Sequence, residues 1–195
     1  VHAQRSLSSR GKKVGVIVAA GEILDGDQPP GTIGDDSMVD LIRQAREDDD
    51  VKAVVLRIDS PGGSMMASEA IRRELVALKA AGKPLIASMS STAASGAYYF
   101  AMDADEIWAN PATLTGSIGV FAVFPTLQRT LEKVGVTVDG LGTTPLAGAL
   151  RLDQTITEEQ RELLQLGVEH AYRTFTGHVA RARQQSIETV DSIAQ

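Results

Sequence analysis

Three short segments of the 195-residue chain combine glycine, serine and threonine in ways that suit nucleophilic chemistry. The first is Asp59-Ser60-Pro61-Gly62-Gly63-Ser64. Pro61 fixes one backbone dihedral, while two glycines admit conformations closed to other residues. Their N–H groups can then turn toward an anion, or toward the oxygen of a tetrahedral intermediate. Taken alone, Pro-Gly-Gly is more often a tight turn. The second is Ser90-Ser91-Thr92-Ala93-Ala94-Ser95-Gly96-Ala97. Small neighbours leave the Ser95 hydroxyl room at a helix start, where the dipole favours developing negative charge. Taken alone, Ser95 reads as a helix cap. The third is Thr113-Leu114-Thr115-Gly116-Ser117-Ile118-Gly119, small and polar inside an apolar strand. Its plain reading is a bulge or a close backbone approach.

Other chemistries find less support. There are no cysteines, which removes thiol catalysis, disulfides and Cys-based metal sites. The histidines are His2, His170 and His178, and the last two read as surface or core-edge residues of a helix. No Gly-x-Ser-x-Gly elbow occurs. Asp103, Asp105 and Glu106 cluster without a histidine-containing ligand set, so no metal site is expected. The lysines are Lys12, Lys13, Lys52, Lys79, Lys83 and Lys133. Only Lys133 follows Ser95, and beside Glu132 it reads as a solvated charge.

A net charge of −6 without a basic block disfavours nucleic-acid binding. A hydrophobic fraction of 43% is ordinary for a globular fold and too high for disorder. No apolar run approaches the roughly 18 residues that span a bilayer. The polar, basic stretch 1–13 lacks an apolar centre and reads as a linker or terminal edge, with the length of one domain or one repeat following.

The elements that must position the three loops follow from periodicity. Residues 13–19 form a β-branched run expected to be a buried strand, and the turn-rich stretch 21–34 a loop. A helix is predicted over 38–47, capped by Asp36 or Ser37. A strand over 51–58 leads into the first loop, and Ser64 can cap a helix that Gly82 stops. Further strands are predicted over 84–89, 106–109 and 114–121, with a short helix over 93–102. Residues 126–133 read as helix and 136–139 as extended. A Gly- and Leu-rich loop spans 141–152, and one long helix spans 157–183 with Leu163, Leu164, Val168, Ala171 and Phe175 as its stripe. Strands alternating with helices imply a mostly parallel α/β sheet with flanking helices.

Together, the three loops resemble the signal peptide peptidase A family, within the superfamily of ClpP and the crotonases. The likeness runs from about Val14 to Gln195 and is strongest at Leu56 to Ser64, Ala93 to Tyr99 and Asn110 to Val120. Gly82-Lys83-Pro84 and the Pro145-Leu146-Ala147 loop share it. The resemblance implies a ClpP/crotonase-like α/β fold with Ser95 as nucleophile and the N–H groups of Gly63 and Gly96 as oxyanion hole. Gly62 makes the turn, and Ser117 orients the general base. Ala97 stands where a second glycine is usual.

In this family the base is a lysine, which in short members aligns close to Ala147. It is not found in this chain. Long members carry two repeats, with the lysine in the first, so the chain resembles the second repeat, apparently truncated at its C-terminus, where residues 186–195 have no successor to pack against. The base is then expected from the N-terminal repeat of the same protein. The resemblance further implies degradation of cleaved signal peptides and other hydrophobic peptides, with no cofactor. It implies a ring- or bowl-like homo-oligomer at the periplasmic side of the bacterial inner membrane. Alternatives are a Ser–His–Asp peptidase of ClpP type, a crotonase-type acyl-CoA enzyme, and a silent repeat that scaffolds or binds peptides.

Overall fold

Apolar runs rich in Val, Ile and Leu pair as neighbouring parallel strands because amphipathic helices carry the chain back between them. The computed structural model describes residues 11–144, 147–148 and 151–194. These form two compact units: residues up to Gly119 together with those from Phe175 onward, and Val120–Thr174. In chain order the first unit holds β1 (Lys13–Ala20), β2 (Glu22–Leu24), β3 (Thr32–Gly34), α1 (Asp35–Glu47), β4 (Val51–Ser60) and α2 (Met65–Ala80). It continues with β5 (Leu85–Ala94), α3 (Gly96–Ala101), β6 (Glu106–Trp108) and β7 (Leu114–Gly116). The sheet order is β1-β4-β5-β6, with β7 also paired to β5, and all these pairs are parallel. Met38 and Ile42 of α1 and Ile71, Leu75 and Leu78 of α2 are fully buried in one core with Leu56, Ile58, Leu85 and Ala87 of the strands. This is the parallel α/β arrangement the sequence implies.

Several local expectations are corrected. Strand β1 is half-buried rather than buried: Ile17 and Ala19 enter the core, while Val14, Val16 and Val18 are 61%, 65% and 51% exposed. It is the edge of the sheet, with one face packed on α1. Residues 21–34 are not all loop, because β2 and β3 pair in parallel and bury Ile23 and Ile33. Helix α1 begins at Asp35 behind Gly34, without a side-chain cap. The Ser37 hydroxyl donates to the Gly34 carbonyl instead.

Ser64 does cap α2, accepting from the Ala67 N–H at 3.3 Å. Strand β5 extends to Ala94, since Ala93 pairs with Ser60 and Ala94 with Gly116, and α3 is delayed to Gly96. Strand β7 ends at Gly116 because Gly116 and Ser117 both take positive φ, 82° and 47°. Residues 136–139 join no ladder among the described residues.

The second unit contains α4 (Gln128–Lys133) and the first part of α5 (Glu158–Arg183). None of its described residues is buried, and Phe121 is 86% exposed. Of the α5 stripe only Phe175, which belongs to the first unit, is buried. The chain closes on α6 (Ile187–Ala194), where Val190 is 2% exposed. Val190 is the buried residue among the described positions of α6, while Ile187 and Ile193 are 56% and 71% exposed. Among the described residues no helix is long and apolar enough to cross a membrane.

Candidate active site

The sheet register brings the three glycine-bearing loops together. Strands β4, β5 and β7 end at Ser60, Ala94 and Gly116, which lie side by side through the pairs Ser60–Ala93 and Ala94–Gly116. Carboxyl ends of parallel strands are where α/β sheets gather ligands, because backbone groups are released there. Ser95 follows Ala94 and Ser117 follows Gly116, so the two serines occupy matching places on adjacent strands. Both carry positive φ, 52° and 47°, which is unusual for any residue but glycine. The Ser95 N–H donates to the Gly116 carbonyl at 2.9 Å and locks this match.

Ser95 turns the chain from strand to helix in one residue, at φ 52° and ψ −121°. Its hydroxyl does not cap α3, so the plain cap reading falls away. It is partly exposed and bonds to no protein group among the described residues. A sharp, strained strand-to-helix turn that lifts a serine clear of its surroundings is the geometry of a nucleophile elbow. Here it arises without the Gly-x-Ser-x-Gly spacing.

Gly62 and Gly63 close over this turn. A Cβ on Gly62 would stand 2.7 Å from the Ser95 Cβ and 2.9 Å from the Gly96 nitrogen. Strand β2 holds the loop from its other side: Ile23 N–H donates to the Gly62 carbonyl at 2.9 Å, and Ser64 N–H to the Ile23 carbonyl at 2.8 Å. A Cβ on Gly63 would fall 2.1 Å from that Ile23 oxygen. Because the bridge uses Gly62 and Ser64, the Gly63 N–H points away from β2. Its nitrogen lies 3.4 Å from the place a Gly96 Cβ would take. That same Cβ would strike the Ser68 hydroxyl, which is fully buried and donates to the Ser64 carbonyl at 2.7 Å. Among the described residues the Gly63 and Gly96 N–H groups meet no protein acceptor. Two free backbone donors beside one free hydroxyl are an arrangement able to hold an oxyanion as it forms.

A polar network backs the turn. Tyr99 lies one helical turn beyond Ser95 and donates its hydroxyl to Glu69 at 2.9 Å. Glu69 also accepts two bonds from Arg72, at 2.7 and 3.1 Å, and one from Arg73 at 2.8 Å. Arg72 reaches Asp103 at 2.8 Å. Burial pushes the Glu69 carboxyl up, but the bonds from Arg72, Arg73 and Tyr99 outweigh it and hold it at about 2. Burial first, and then the bond to Glu69, pushes Tyr99 up to about 12. Phe175 and His178 of α5 stand edge-on to the Tyr99 ring, at 4.9 and 5.8 Å. Burial, then Arg72 and Arg181, lower the His178 value. His178 packs on the Tyr99 ring and bonds nowhere to Ser95, so a Ser–His arrangement gains nothing from the geometry.

The lysines of this unit sit at the other end of the strands. Lys13, the first residue of β1, pairs with Asp50 at 3.2 Å. Lys83, just before β5, donates to the Ala45 and Asp48 carbonyls, each at 2.7 Å. Lys79 pairs with Asp105, just before β6, at 3.0 Å. Lys52 is second in β4 and Lys12 precedes β1. The ten residues of β5 separate that end from Ser95 by about 30 Å. Lys133 lies on α4 of the second unit. Ala147 is exposed in a turn, and Pro145 and Leu146 lie outside the described residues. Among the described residues no three His, Cys, Asp or Glu side chains are grouped to hold a metal.

Sequence reasoning missed Ile23, Ser68 and the Glu69–Arg72–Tyr99 network. Ile23 is a lone β-branched residue among turn formers, too short a signal for periodicity. Ser68 and Glu69 look like ordinary residues of an amphipathic helix.

The model of "Peptidase family S49" matches residues 77–195. Protease 4 of Salmonella typhi is 46% identical over 185 residues, which is 95% of this chain and 30% of that protein. Protease 4 of Haemophilus influenzae is 42% identical over 94% of this chain and 30% of its own length. The chloroplastic serine protease SPPA of Arabidopsis thaliana is 37% identical over 94% of this chain and 28% of its own length. The chain thus spans about 30% of the length of these relatives. Matched along nearly all its length by these proteases, with the resemblance read from its three loops borne out, the chain belongs to peptidase family S49.

Proposed function

We propose that this chain supplies the nucleophilic half of a serine peptidase of Ser–Lys type. Ser95 attacks the scissile carbonyl, the N–H groups of Gly63 and Gly96 receive the oxyanion, Gly62 permits the turn, and Ser117 orients the base. The observation that carries the reading is the convergence of a strained, unbonded Ser95 with two unpaired glycine N–H groups at one end of the sheet. The base is a lysine from an N-terminal repeat of the same protein. Two facts support this: the lysines of the nucleophile's unit stand at the far end of the strands, and the relatives are about three times as long. A partly desolvated lysine of this kind is neutral often enough to take the serine's proton.

The substrates on this reading are cleaved signal peptides and other hydrophobic peptides, bound by apolar burial. The assembly is a homo-oligomer, and its place is the periplasmic face of the bacterial inner membrane. The relatives' names, protease and serine protease, support the reaction class.

Hydrolysis of a hydrophobic fluorogenic peptide tests the reading, using the chain alone and the chain joined to its N-terminal repeat. Turnover is expected only in the joined form, lost in Ser95→Ala and lost when the repeat's lysines are replaced. Turnover by the chain alone would overturn the split dyad. Peptide binding without turnover in either form would establish the second reading, a silent peptide-binding repeat, which the placement of the lysines favours.

A further inference from the structure

Strand β2 and the turn after it form a strap across the outside of the Gly62–Gly63 loop. Backbone bonds from Ile23 hold Gly62 and Ser64. The next turn adds a side-chain bond: the Ser64 hydroxyl donates to the Asp25 carboxylate at 2.5 Å. The same hydroxyl oxygen accepts from the Ala67 N–H, the first bond of α2. Asp25 is itself anchored. Gly26 N–H donates to the Asp35 carboxylate at 2.6 Å, and the Gln28 amide donates to the Asp25 carbonyl at 2.7 Å. A Cβ on Gly34 would stand 2.3 Å from the Gly26 carbonyl oxygen, so the turn lies directly on the start of α1.

We propose that Asp25 is a positioning residue for the oxyanion hole, acting through Ser64 to pin the chain on the C-terminal side of Gly63 and so keep the Gly63 N–H in place, while the Ile23 bond to the Gly62 carbonyl orients the peptide plane that carries it. This rests on the reading of Ser95 and Gly63 given above. Gly63 has no side chain to hold its peptide planes, and its φ of 151° is set only by its neighbours. On the N-terminal side, Gly62 is held by Ile23. On the C-terminal side, Ser64 is held at two points, its N–H by Ile23 and its hydroxyl by Asp25. The carboxylate is a strong acceptor, and charge-assisted bonds of this kind fix geometry better than neutral ones. Since the oxyanion exists only along the reaction path, a donor aimed slightly wrong costs turnover and leaves substrate binding almost unchanged. Asp25 lies at the surface and the Ser64 cap survives its removal, so stability is nearly independent of it.

The test is steady-state hydrolysis of the fluorogenic peptide by whichever form turns over, the chain alone or the chain with its N-terminal repeat. Asp25→Ala is expected to lower kcat about tenfold, less than the 100- to 1,000-fold loss of a whole donor. KM is expected within about twofold of wild type, and Tm within about 2 °C. Asp25→Asn, which keeps an acceptor oxygen for Ser64, should recover kcat to within about threefold. A kcat unchanged in Asp25→Ala, a loss confined to KM, or a loss that Asp25→Asn does not recover would each overturn the proposal. Ser95→Ala separates the two layers. Full turnover in that variant, or none in any wild-type form, overturns the reading of the site and the inference with it. Loss in Ser95→Ala with a normal Asp25→Ala overturns the role of Asp25 alone.

Discussion

Replacing Ser95 by glycine should make the protein more stable than replacing it by alanine. At φ 52° and ψ −121° a residue with a Cβ is strained, at a cost of about 1–3 kcal/mol for such sparsely populated backbone regions. Alanine keeps the Cβ and so keeps that strain, whereas glycine removes it. Against the gain stand about 0.5–1 kcal/mol for the greater freedom of glycine in the unfolded chain. A further few tenths of a kcal/mol, about half of one buried CH2, is lost with the half-buried Cβ that touches Gly62. Taking the middle of the strain range, the balance favours Ser95→Gly over Ser95→Ala by about 1 kcal/mol. For a chain of this size that raises Tm by about 2–4 °C. Both variants lack the hydroxyl, so neither catalysis nor autolysis enters the comparison. Calorimetric melts of the two variants at one pH and concentration give the answer. Should Ser95→Gly melt at or below Ser95→Ala, the turn stores no strain, and the nucleophile-elbow description is wrong.

Gly63→Ala should be far more damaging than its size suggests, because the added methyl would lie 2.1 Å from the Ile23 oxygen at a φ of 151°. Either β2 or the loop must move, so a loss of about 2–3 kcal/mol in urea unfolding is expected, and wild-type stability would show that β2 does not brace the loop. Glu69→Gln tests the network behind Tyr99 through its pH dependence. The Glu69 carboxyl titrates near 2 in the fold against an ordinary 4.5. Its stabilisation is therefore complete above about pH 4.5 and lost as pH falls through 2. With its side chain 23% exposed and solvent screening the pairs, wild type should exceed Glu69→Gln by about 1–2 kcal/mol at pH 7. The two urea midpoints should converge toward pH 2, and a gap that stays constant with pH would refute the assignment.

Much of the fold is legible because valine and isoleucine runs, helical stripes and turn residues agree locally over long stretches, as they do in β4, α2 and α5. The candidate site is legible only as three loops. Nothing local says that Ala94 pairs with Gly116 or that Ser60 pairs with Ala93, yet these pairings bring Gly62, Ser95 and Ser117 to one edge. Tertiary pairing also moved the boundary of β5. The small residues 90–94 have weak strand preference of their own and are drawn into the ladder by β4 and β7 on either side. Ile23 failed to register for the reverse reason. Its strand is three residues long and borrows its order from the Gly62–Ser64 backbone, so no pattern in its own neighbourhood could reveal it.

On the proposed Ser–Lys reading, the polarity of the sheet accounts for a unit that carries the nucleophile and not its base. Parallel strands gather free N–H groups and strained turns at their carboxyl ends, and here those groups belong to Gly63, Ser95 and Gly96. At the amino ends the chain enters from helices and loops rich in Asp48, Asp50, Asp103 and Asp105. Lys13, Lys79 and Lys83 are held there by carboxylates and carbonyls. These contacts tether the amines where they stand, and the length of a strand separates them from Ser95. A general base for Ser95 needs the opposite surroundings, apolar and free of carboxylates, so that the neutral amine survives near neutral pH. Lys13, Lys79 and Lys83 lack them, and Lys12 and Lys52 are exposed. On the Ser–Lys reading the reaction is therefore divided between surfaces, with the oxyanion machinery built into one sheet edge and the amine brought to it by another piece of protein.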